Sequence, residues 1–332
     1  MPLAPLGASG ICYENLFEME KMERFFPGFT GKIGVEIRLL LWYYILNELW
    51  KGENGNMNLL QSVLYGFLSG AAEILPISSR AHGILLLKIF GTSGNSNLML
   101  LLMHAALLAS LYVSSRSHLT RMRRALALAR IPKKKRRRPL DIKSLMDFRL
   151  VRTMSLPIIL AYFFYNSLSG LAGSLLAMAI FLFLNGLILY IPQFLPTGNK
   201  DSRSMSRVEG LLIGLGGALS VLPGISGIGA MVSVSSVCGV DRKYALDNAL
   251  IVSIVISAAV VVNDAVRLVS NGLDGVTFRV VLIYLLSAAA SFLGGLLGAR
   301  LLRKIAGEHS FSLFAFYCWG LSRFTFFLNL IA

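Results

Sequence analysis

Residues 171–191 read LAGSLLAMAIFLFLNGLILYI, an uncharged apolar run of the length that a helix needs to cross a lipid bilayer. Further apolar stretches of this kind recur along the chain, at Leu98–Ser115, Thr153–Asn166, Leu246–Asn263, Val276–Leu302 and Phe311–Ala332. They are rich in Leu and Ala, do not alternate in polarity and exceed the length of a barrel strand. The pattern therefore predicts an all-α polytopic integral membrane protein.

The overall composition agrees with a bilayer as the solvent of this chain. Of the 332 residues, 55% are apolar and only 15% are charged. The mean hydropathy is +0.66, which lies outside the usual balance of a soluble domain. The number of apolar stretches excludes an enzyme held by a single anchor.

The positive charge of the chain is concentrated in one segment. The formal net charge is +15, and Arg116–Arg138 holds 11 of the 32 basic residues without an acidic one. Between two membrane spans, such a segment is typical of a cytoplasmic loop, here 116–152, that contacts anionic lipid headgroups. Because no aromatic-rich binding module accompanies it, the charge does not indicate nucleic-acid binding. The cysteines, Cys12, Cys238 and Cys318, have the spacing of neither a disulfide framework nor a zinc site.

The first 56 residues differ from the rest of the chain. They hold 7 of the 17 acidic residues and no apolar run of spanning length. We expect either a misassigned start, with Met57 as the true one, or an N-terminal extension with an amphipathic helix around Ile33–Leu49. The membrane domain is expected at 57–332.

The membrane domain contains an internal repeat at an offset of 147 residues. Gly-Ala-x-x-Ile/Val-Leu-Pro-x-x-Ser occurs at residues 70–79 and again at 217–226. Each copy places a proline and then a serine inside an apolar run, which predicts a broken helix buried in the protein or lining a polar cavity. The charges of the flanking loops place the two breaks on hairpins that enter the membrane from opposite faces. The sequence thus predicts an inverted repeat, with halves at about 57–191 and 207–332 and two re-entrant broken helices.

The first break, EILPISSRAH at residues 73–82, concentrates the chemistry of the chain. Its reactive or charged residues are Glu73, Ser78, Ser79, Arg80 and His82. Ionisable groups at membrane depth are costly and mark a functional cavity. A carboxylate can hold a divalent cation or act as a base, a hydroxyl can attack or bind phosphate, an arginine can bind phosphate oxygens and a histidine can move protons. The alternative is a structural cap, in which Ser78 or Ser79 starts the second half-helix and Glu73 pairs with Arg80.

The second break reads PGISGIG at residues 223–229. Gly224, Ser226 and Gly227 allow close backbone approach, and free amides at the start of a half-helix can bind an anion. A glycine-rich packing turn explains the same residues, so only the pairing with the first break favours phosphate binding.

At these two breaks the chain resembles the undecaprenyl-pyrophosphate phosphatase family of the bacitracin-resistance type. EILPISSRAH resembles the family's Glu-Phe-Leu-Pro-Val/Ile-Ser-Ser-Thr-Gly/Ala-His segment, and PGISGIGAM resembles its Pro-Gly-x-Ser-Arg-Ser segment. The resemblance extends from Met57 to the C-terminus. The positions that match those the family uses are Glu73, Ser78, Ser79, His82 and Ser226.

The resemblance implies a phosphatase of the bacterial inner membrane that converts undecaprenyl pyrophosphate to undecaprenyl phosphate for cell-wall synthesis. It implies a divalent cation, Mg²⁺ or Ca²⁺, held by Glu73, with Ser79 and His82 as catalytic residues. It further implies phosphate binding at Ser78 and Ser226. The chemistry of the two breaks adds Arg80, Gly224 and Gly227 as candidate phosphate-binding residues. The sequence leaves open whether the protein forms a homo-oligomer.

Four departures from the family's pattern favour a second hypothesis about the function. Ser69 replaces an acidic or amide residue, Gly227 an arginine and Met231 a threonine, and Cys318 stands where an arginine often follows tyrosine. Arg80, which replaces a threonine, can restore one positive charge. The alternative to the enzyme is therefore a non-catalytic relative that binds or flips polyprenyl phosphate.

Overall fold

The computed structural model describes residues 57–92, 96–168, 174–272, 277–308 and 311–331. All of them belong to one of the two units into which the chain divides, Gly52–Ala332. The expectations for residues 1–56, including Cys12 and the start at Met57, concern a segment outside the described residues.

The described residues form α-helices joined by turns and short 3₁₀ segments, with no β-strand among them, so the predicted all-α fold is confirmed. In chain order the helices are α1 (Leu59–Ile74), α2 (Ser79–Phe90), α3 (Asn97–Ala129), α4 (Ile142–Phe163), α5 (Tyr165–Leu168), α6 (Leu175–Tyr190), α7 (Arg207–Ala218), α8 (Gly227–Val237), α9 (Arg242–Asn271), α10 (Phe278–Glu308) and α11 (Ser312–Ile331).

Five of these helices, α3, α6, α9, α10 and α11, are long and apolar enough to cross a membrane, as judged by length and composition within the described residues. The chain is therefore a multi-pass membrane protein. The remaining predicted stretch, Thr153–Asn166, covers the end of α4 and runs into α5. Helix α4 is not among the five because its first half carries charged residues such as Asp147 and Arg149.

The basic segment differs from the expected loop at 116–152. Helix α3 continues to Ala129, and α4 begins at Ile142 with Asp141 as its N-cap, so the stretch outside α-helix is 130–141. The cause is local: Arg, Leu and Ala are strong helix formers, and the first helix breaker after the span is Pro132. The basic side chains of 116–129 are therefore fixed on a helix.

The first broken segment is a helical hairpin made by α1 and α2. Leu59 at the start of α1 and Tyr65 share an apolar cluster with Leu86 and Phe90 at the end of α2. A methyl group added at Gly83 would meet the Tyr65 hydroxyl at 2.8 Å. The chain thus turns back at the break, and α2 returns alongside α1.

The second broken segment, α7 and α8, is also a hairpin. A methyl group added at Gly216, near the end of α7, would meet the carbonyl oxygen of Ala230 and the side chain of Val234, each at 3.1 Å. Val234 lies about 10 Å along α8 from its start, given a rise of 1.5 Å per residue. Only a chain that folds back on itself brings it to the end of α7.

The two hairpins open at opposite ends of the helix bundle. The first opens where Met99 and Met103 begin α3 and where Tyr284 lies near the start of α10. The second opens at Lys200, which bonds Glu209 of α7 and is joined to Asp241, just before α9. Because α3 and α9 are antiparallel, as the pairs His104–Asp264 and His118–Asp247 show, these two openings lie at opposite ends. The contacts support the predicted inverted repeat, while re-entry into a bilayer stays a prediction.

In both halves of the chain, the first helix of the hairpin packs on a helix of the other half. The first hairpin's α1 packs in parallel on α10, where Gly66 lies against Ser287 and Gly70 against Ser291. The second hairpin's α7 packs in the same way on α4, where Gly210 lies beside Thr153. Each hairpin therefore rests on a helix of the other half, which holds the two breaks facing each other.

Candidate functional site

The two breaks meet where the hairpins turn. A methyl group added at Gly229 in the second break would lie 2.9 Å from the Cβ of Pro76 in the first. The Arg80 guanidinium donates a hydrogen bond of 2.7 Å to the carbonyl oxygen of Val221. Residues that are 141 positions apart in the sequence thus form one site.

Asn185 of α6 joins the two breaks and is fully buried. Its amide nitrogen donates to the carbonyl oxygen of Pro76 at 3.1 Å, and its oxygen accepts from the backbone N–H of Ser226 at 2.9 Å. Since both partners are backbone groups at helix breaks, and the Pro76 carbonyl has only the weak Cys318 thiol besides, this side chain fixes their relative position. Reasoning from the sequence missed Asn185, although a lone amide inside the apolar run 171–191 was a usable signal.

Glu73 and Ser79 form the centre of the first break. The Ser79 hydroxyl donates a short hydrogen bond to the Glu73 carboxylate, across the turn that separates the end of α1 from the start of α2. Ser78, between them, has the left-handed φ of 66° and makes no side-chain cap on α2. Ser79 begins α2, as the capping alternative expected, but Glu73 bonds Ser79 and Arg80 bonds the second hairpin, so these contacts differ from the expected Glu73–Arg80 pair.

His82 is held between a carbonyl and a phenol. Its Nδ1 lies 2.8 Å from the Ser78 carbonyl oxygen, and its Nε2 lies 2.6 Å from the Tyr317 hydroxyl, whose ring stacks on the imidazole. A carbonyl can only accept, so in the neutral ring Nδ1 carries the proton and Nε2 accepts from Tyr317. The sequence pointed to His82 but not to its partner on α11.

Arg80 lies over an aromatic ring. Its guanidinium carbon is 4.7 Å from the centre of the Tyr165 ring, and Tyr165 in turn stacks on Tyr162 at 5.3 Å between ring centres. This cation–π contact helps to hold the guanidinium in place, and the N–H groups that do not bond Val221 can still donate hydrogen bonds.

In the second break, packing accounts for much of the glycine pattern. Gly224 has a φ of 112° and lies against α6, where an added methyl group would meet Phe181 at 2.8 Å. Ser226 caps α8 by accepting from the Gly229 N–H at 3.3 Å. A methyl group on Gly227 would lie 2.9 Å from the Cβ of Ser220. Phosphate binding by Gly224, Ser226 and Gly227 stays a prediction, and the packing-turn explanation fits Gly224.

The positions that depart from the family's pattern are buried around the site. The Ser69 hydroxyl, one helical turn before Glu73, is buried without a hydrogen-bond partner. Met231 is fully buried against Gly217, and Cys318 is fully buried beside Asn185. Small or apolar side chains thus occupy these positions.

The donor set is sparse for a divalent cation. No group of three or more His, Cys, Asp or Glu side chains comes together among the described residues. Glu73 supplies one carboxylate, with the Ser79 and Ser69 hydroxyls near it in the helix and turn. Mg²⁺ is commonly held by one or two carboxylates together with substrate phosphates and water, so these residues fit a cation that arrives with a phosphorylated substrate.

The fold and the site together define a multi-pass α-helical membrane protein whose polar residues meet where two oppositely directed broken helices touch. The family model described as "Bacitracin resistance protein BacA" matches residues 62–324, and the chain belongs to this family.

Individual relatives agree with this assignment. A protein of Methanobrevibacter smithii named undecaprenyl-diphosphatase is 29% identical, with 79% of this chain and 95% of the relative covered. A protein of the same name from Carboxydothermus hydrogenoformans is 27% identical, with 79% and 94% covered. Undecaprenyl-diphosphatase 1 of Shouchella clausii is 26% identical over similar shares.

Proposed function

We propose that this protein is a membrane phosphatase that hydrolyses undecaprenyl diphosphate to undecaprenyl phosphate and inorganic phosphate. The lipid monophosphate would return to peptidoglycan synthesis. The observation that carries the proposal is the Glu73–Ser79 hydrogen bond at the contact of the two breaks, with His82 one turn further along α2, in a chain of the BacA family. The names of its relatives support the same reaction.

The cluster has the parts needed to cleave a phosphoanhydride. The bond between the two phosphates breaks, water supplies the hydroxyl of the released phosphate, and the lipid keeps one phosphate. With Ser79 hydrogen-bonded to it, Glu73 can accept a proton as the serine oxygen, or a water in its place, approaches the terminal phosphorus. His82 can take a proton at Nε2, where the Tyr317 hydroxyl now donates.

A divalent cation, Mg²⁺ or Ca²⁺, is part of the proposal. When bound, it would neutralise charge on the phosphate oxygens. Glu73 would hold it from the protein side, because it is the acidic residue of the first break. Arg80, which lies beside Ser79 and bonds the second hairpin, would bind a phosphate oxygen through its remaining N–H groups.

The proposed location is a bacterial inner membrane, with the basic end of the bundle in the cytoplasm. There the exposed face of α3 presents Arg116, Arg121 and Arg124 around a shallow depression with Ser117 and Thr120. Each basic residue near an anionic leaflet contributes about 1 kcal/mol, so this face would bind acidic lipid headgroups.

The test is phosphate release by purified protein in liposomes, with undecaprenyl diphosphate and either Mg²⁺ or Ca²⁺. We expect Glu73→Gln and Ser79→Ala to lower turnover by about 10²–10⁴-fold, since each removes a group that acts on the proton or the phosphorus. The control is Asp141→Asn, an exposed acid at the start of α4 whose replacement can still cap the helix.

Phosphate release that is unchanged in Glu73→Gln would show that the site is misassigned. A wild-type protein that releases no phosphate with either cation, yet binds the lipid, would instead be a binding or flipping relative.

A further inference from the structure

Arg267, a residue that no motif indicates, reaches the same aromatic ring as Arg80. Its guanidinium carbon lies 5.7 Å from the centre of the Tyr165 ring, and that of Arg80 lies 4.7 Å from it. Arg80 belongs to the first hairpin and Arg267 to α9, so two parts of the chain place cations at one tyrosine. Both distances are within the range of a cation–π contact.

The position of Arg267 is fixed by its helix. It lies in the last turns of α9, three residues after Asp264, which is buried and bonds His104 of α3 at 2.5 Å. That pair holds the rotation of α9, so Arg267 faces the side of the bundle where Tyr165 follows α4. Arg267 is partly buried, which leaves it within reach of both the site and a ligand that enters it.

Two arginines beside one ring suit a ligand with two anionic groups. A guanidinium stacked on an aromatic face is held in its plane while its edge can bind phosphate oxygens in pairs. A lipid diphosphate carries two phosphate groups, whereas its product carries one. The position where the family's second motif has an arginine is Gly227, whose surroundings leave no space for a long side chain.

We infer that Arg80 and Arg267, spaced by Tyr165, form a clamp for the two phosphates of a prenyl diphosphate, with Arg267 as the residue that distinguishes diphosphate from monophosphate. This inference rests on the proposed function and adds its substrate selectivity. Arg80, next to Ser79, would bind one phosphate, and Arg267 would bind the other.

The experiment measures binding with divalent cations removed by a chelator, so that the proposed hydrolysis does not follow binding. The affinities of farnesyl diphosphate, farnesyl monophosphate and inorganic pyrophosphate are determined by calorimetry on detergent-solubilised wild type, Arg267→Gln and Arg267→Lys. For Arg267→Gln we expect diphosphate affinity to fall by about 10- to 100-fold, the usual loss for a hydrogen bond to a charged group, and monophosphate affinity to change less than about threefold. Arg267→Lys keeps the charge without the planar fork. Its affinity for the diphosphate should lie between those of the wild type and Arg267→Gln.

Arg323→Gln is the matched control, because Arg323 is an exposed arginine on α11. It should leave all three affinities unchanged. Thermal unfolding of each variant shows whether the fold is intact, and Tyr165→Leu should reproduce part of the selectivity loss because it removes the spacer.

Equal losses for diphosphate and monophosphate, or no loss in Arg267→Gln, would overturn the clamp. Tight binding of inorganic pyrophosphate that depends equally on Arg267 would show that the site recognises free diphosphate and not the lipid. Because binding is measured without turnover, a wild type that releases no phosphate would refute the proposed hydrolysis and still leave the clamp open to this test.

Discussion

At the scale of single residues, Gly227 shows how its neighbours restrict a substitution. A Cβ there would lie 2.9 Å from the Cβ of Ser220 and 3.2 Å from the Ile256 side chain. An arginine at this position, as the family has, would therefore require these neighbours to move. We thus expect that the positive charge of Arg80 cannot be replaced by one at position 227.

We predict that Gly227→Arg does not restore phosphate release to an Arg80→Thr variant, and that Gly227→Ala alone lowers stability by about 1–3 kcal/mol through overpacking. Thermal unfolding in detergent measures the second effect. Adding Ser220→Gly to Gly227→Ala should recover most of the loss because it removes the opposing Cβ. Recovery of activity by Gly227→Arg would show that the arginine of the family can be accommodated after all.

Asn185 is a residue whose effect should extend to both breaks. Asn185→Leu leaves the Ser226 N–H without its partner and the Pro76 carbonyl with only the Cys318 thiol, and an orphaned buried group costs about 1–3 kcal/mol. We predict a lower unfolding temperature together with strongly reduced turnover. Ser322→Ala is the control, because it removes one buried hydrogen bond between α11 and Ala179 of α6, the helix that also carries Asn185. Equal effects of the two variants on turnover would contradict a positioning role for Asn185.

At the scale of elements, the second hairpin depends on an ionic cap at its opening. Ser206 and Glu209 form a capping box at the start of α7, and Lys200 bonds the Glu209 carboxylate at 2.6 Å. The hydrogen bond from Lys200, followed by that from the Ser206 backbone, holds the pKa of Glu209 below its usual value. A carboxyl with a lowered pKa in the folded state stabilises the fold above its unfolded pKa, and this contribution disappears as pH falls through the folded value.

We therefore predict that the wild type loses stability as the pH falls below about 4.5, the ordinary range of a glutamate, and that Glu209→Gln loses less over the same interval. At neutral pH the variant should be the less stable of the two. Unfolding temperatures measured between neutral and acidic pH decide this. Identical pH profiles for the two proteins would show that the cap contributes nothing measurable.

At the scale of the whole molecule, the opposite openings of the two hairpins lead to a topology that can be tested. Thr277, just before α10, is exposed near the end where the first hairpin opens, whereas Ser117 is exposed on the basic end of α3. If the basic end is cytoplasmic, these two positions lie on opposite sides of the membrane.

We predict that a membrane-impermeant thiol reagent applied to intact cells labels Thr277→Cys and does not label Ser117→Cys. The background would lack Cys12 and Cys238, and Cys318 can remain because it is fully buried. Permeabilised cells should label both positions. Labelling of Ser117→Cys in intact cells would reverse the proposed orientation, and labelling of both would contradict the opposite placement of the two ends.

The sequence by itself determined the fold class and its setting in a bilayer, and it pointed to the residues of the first break for which chemistry is proposed. Long apolar runs can be satisfied only by helices in a bilayer, because every backbone group must find its partner within the segment. Pro76 and Pro223 likewise predicted both breaks locally, since a proline inside a helix removes a hydrogen bond and disfavours helical geometry in the residue before it. Glu73, Ser79 and His82 were visible because polar residues are rare and costly in such surroundings.

Tertiary structure alone decided which distant groups complete the site. Asn185, Tyr317 and Tyr165 come from three different helices, and each contacts a residue of the first break only because the helices pack together across the bundle. Arg267 of a fourth helix contacts Tyr165 in turn. It also decided that Gly224 and Gly227 are small because their neighbours are close, a fact that no local pattern carries. The physical reason is that backbone preferences act within a few residues, whereas packing, burial and charge act through space between residues more than a hundred positions apart.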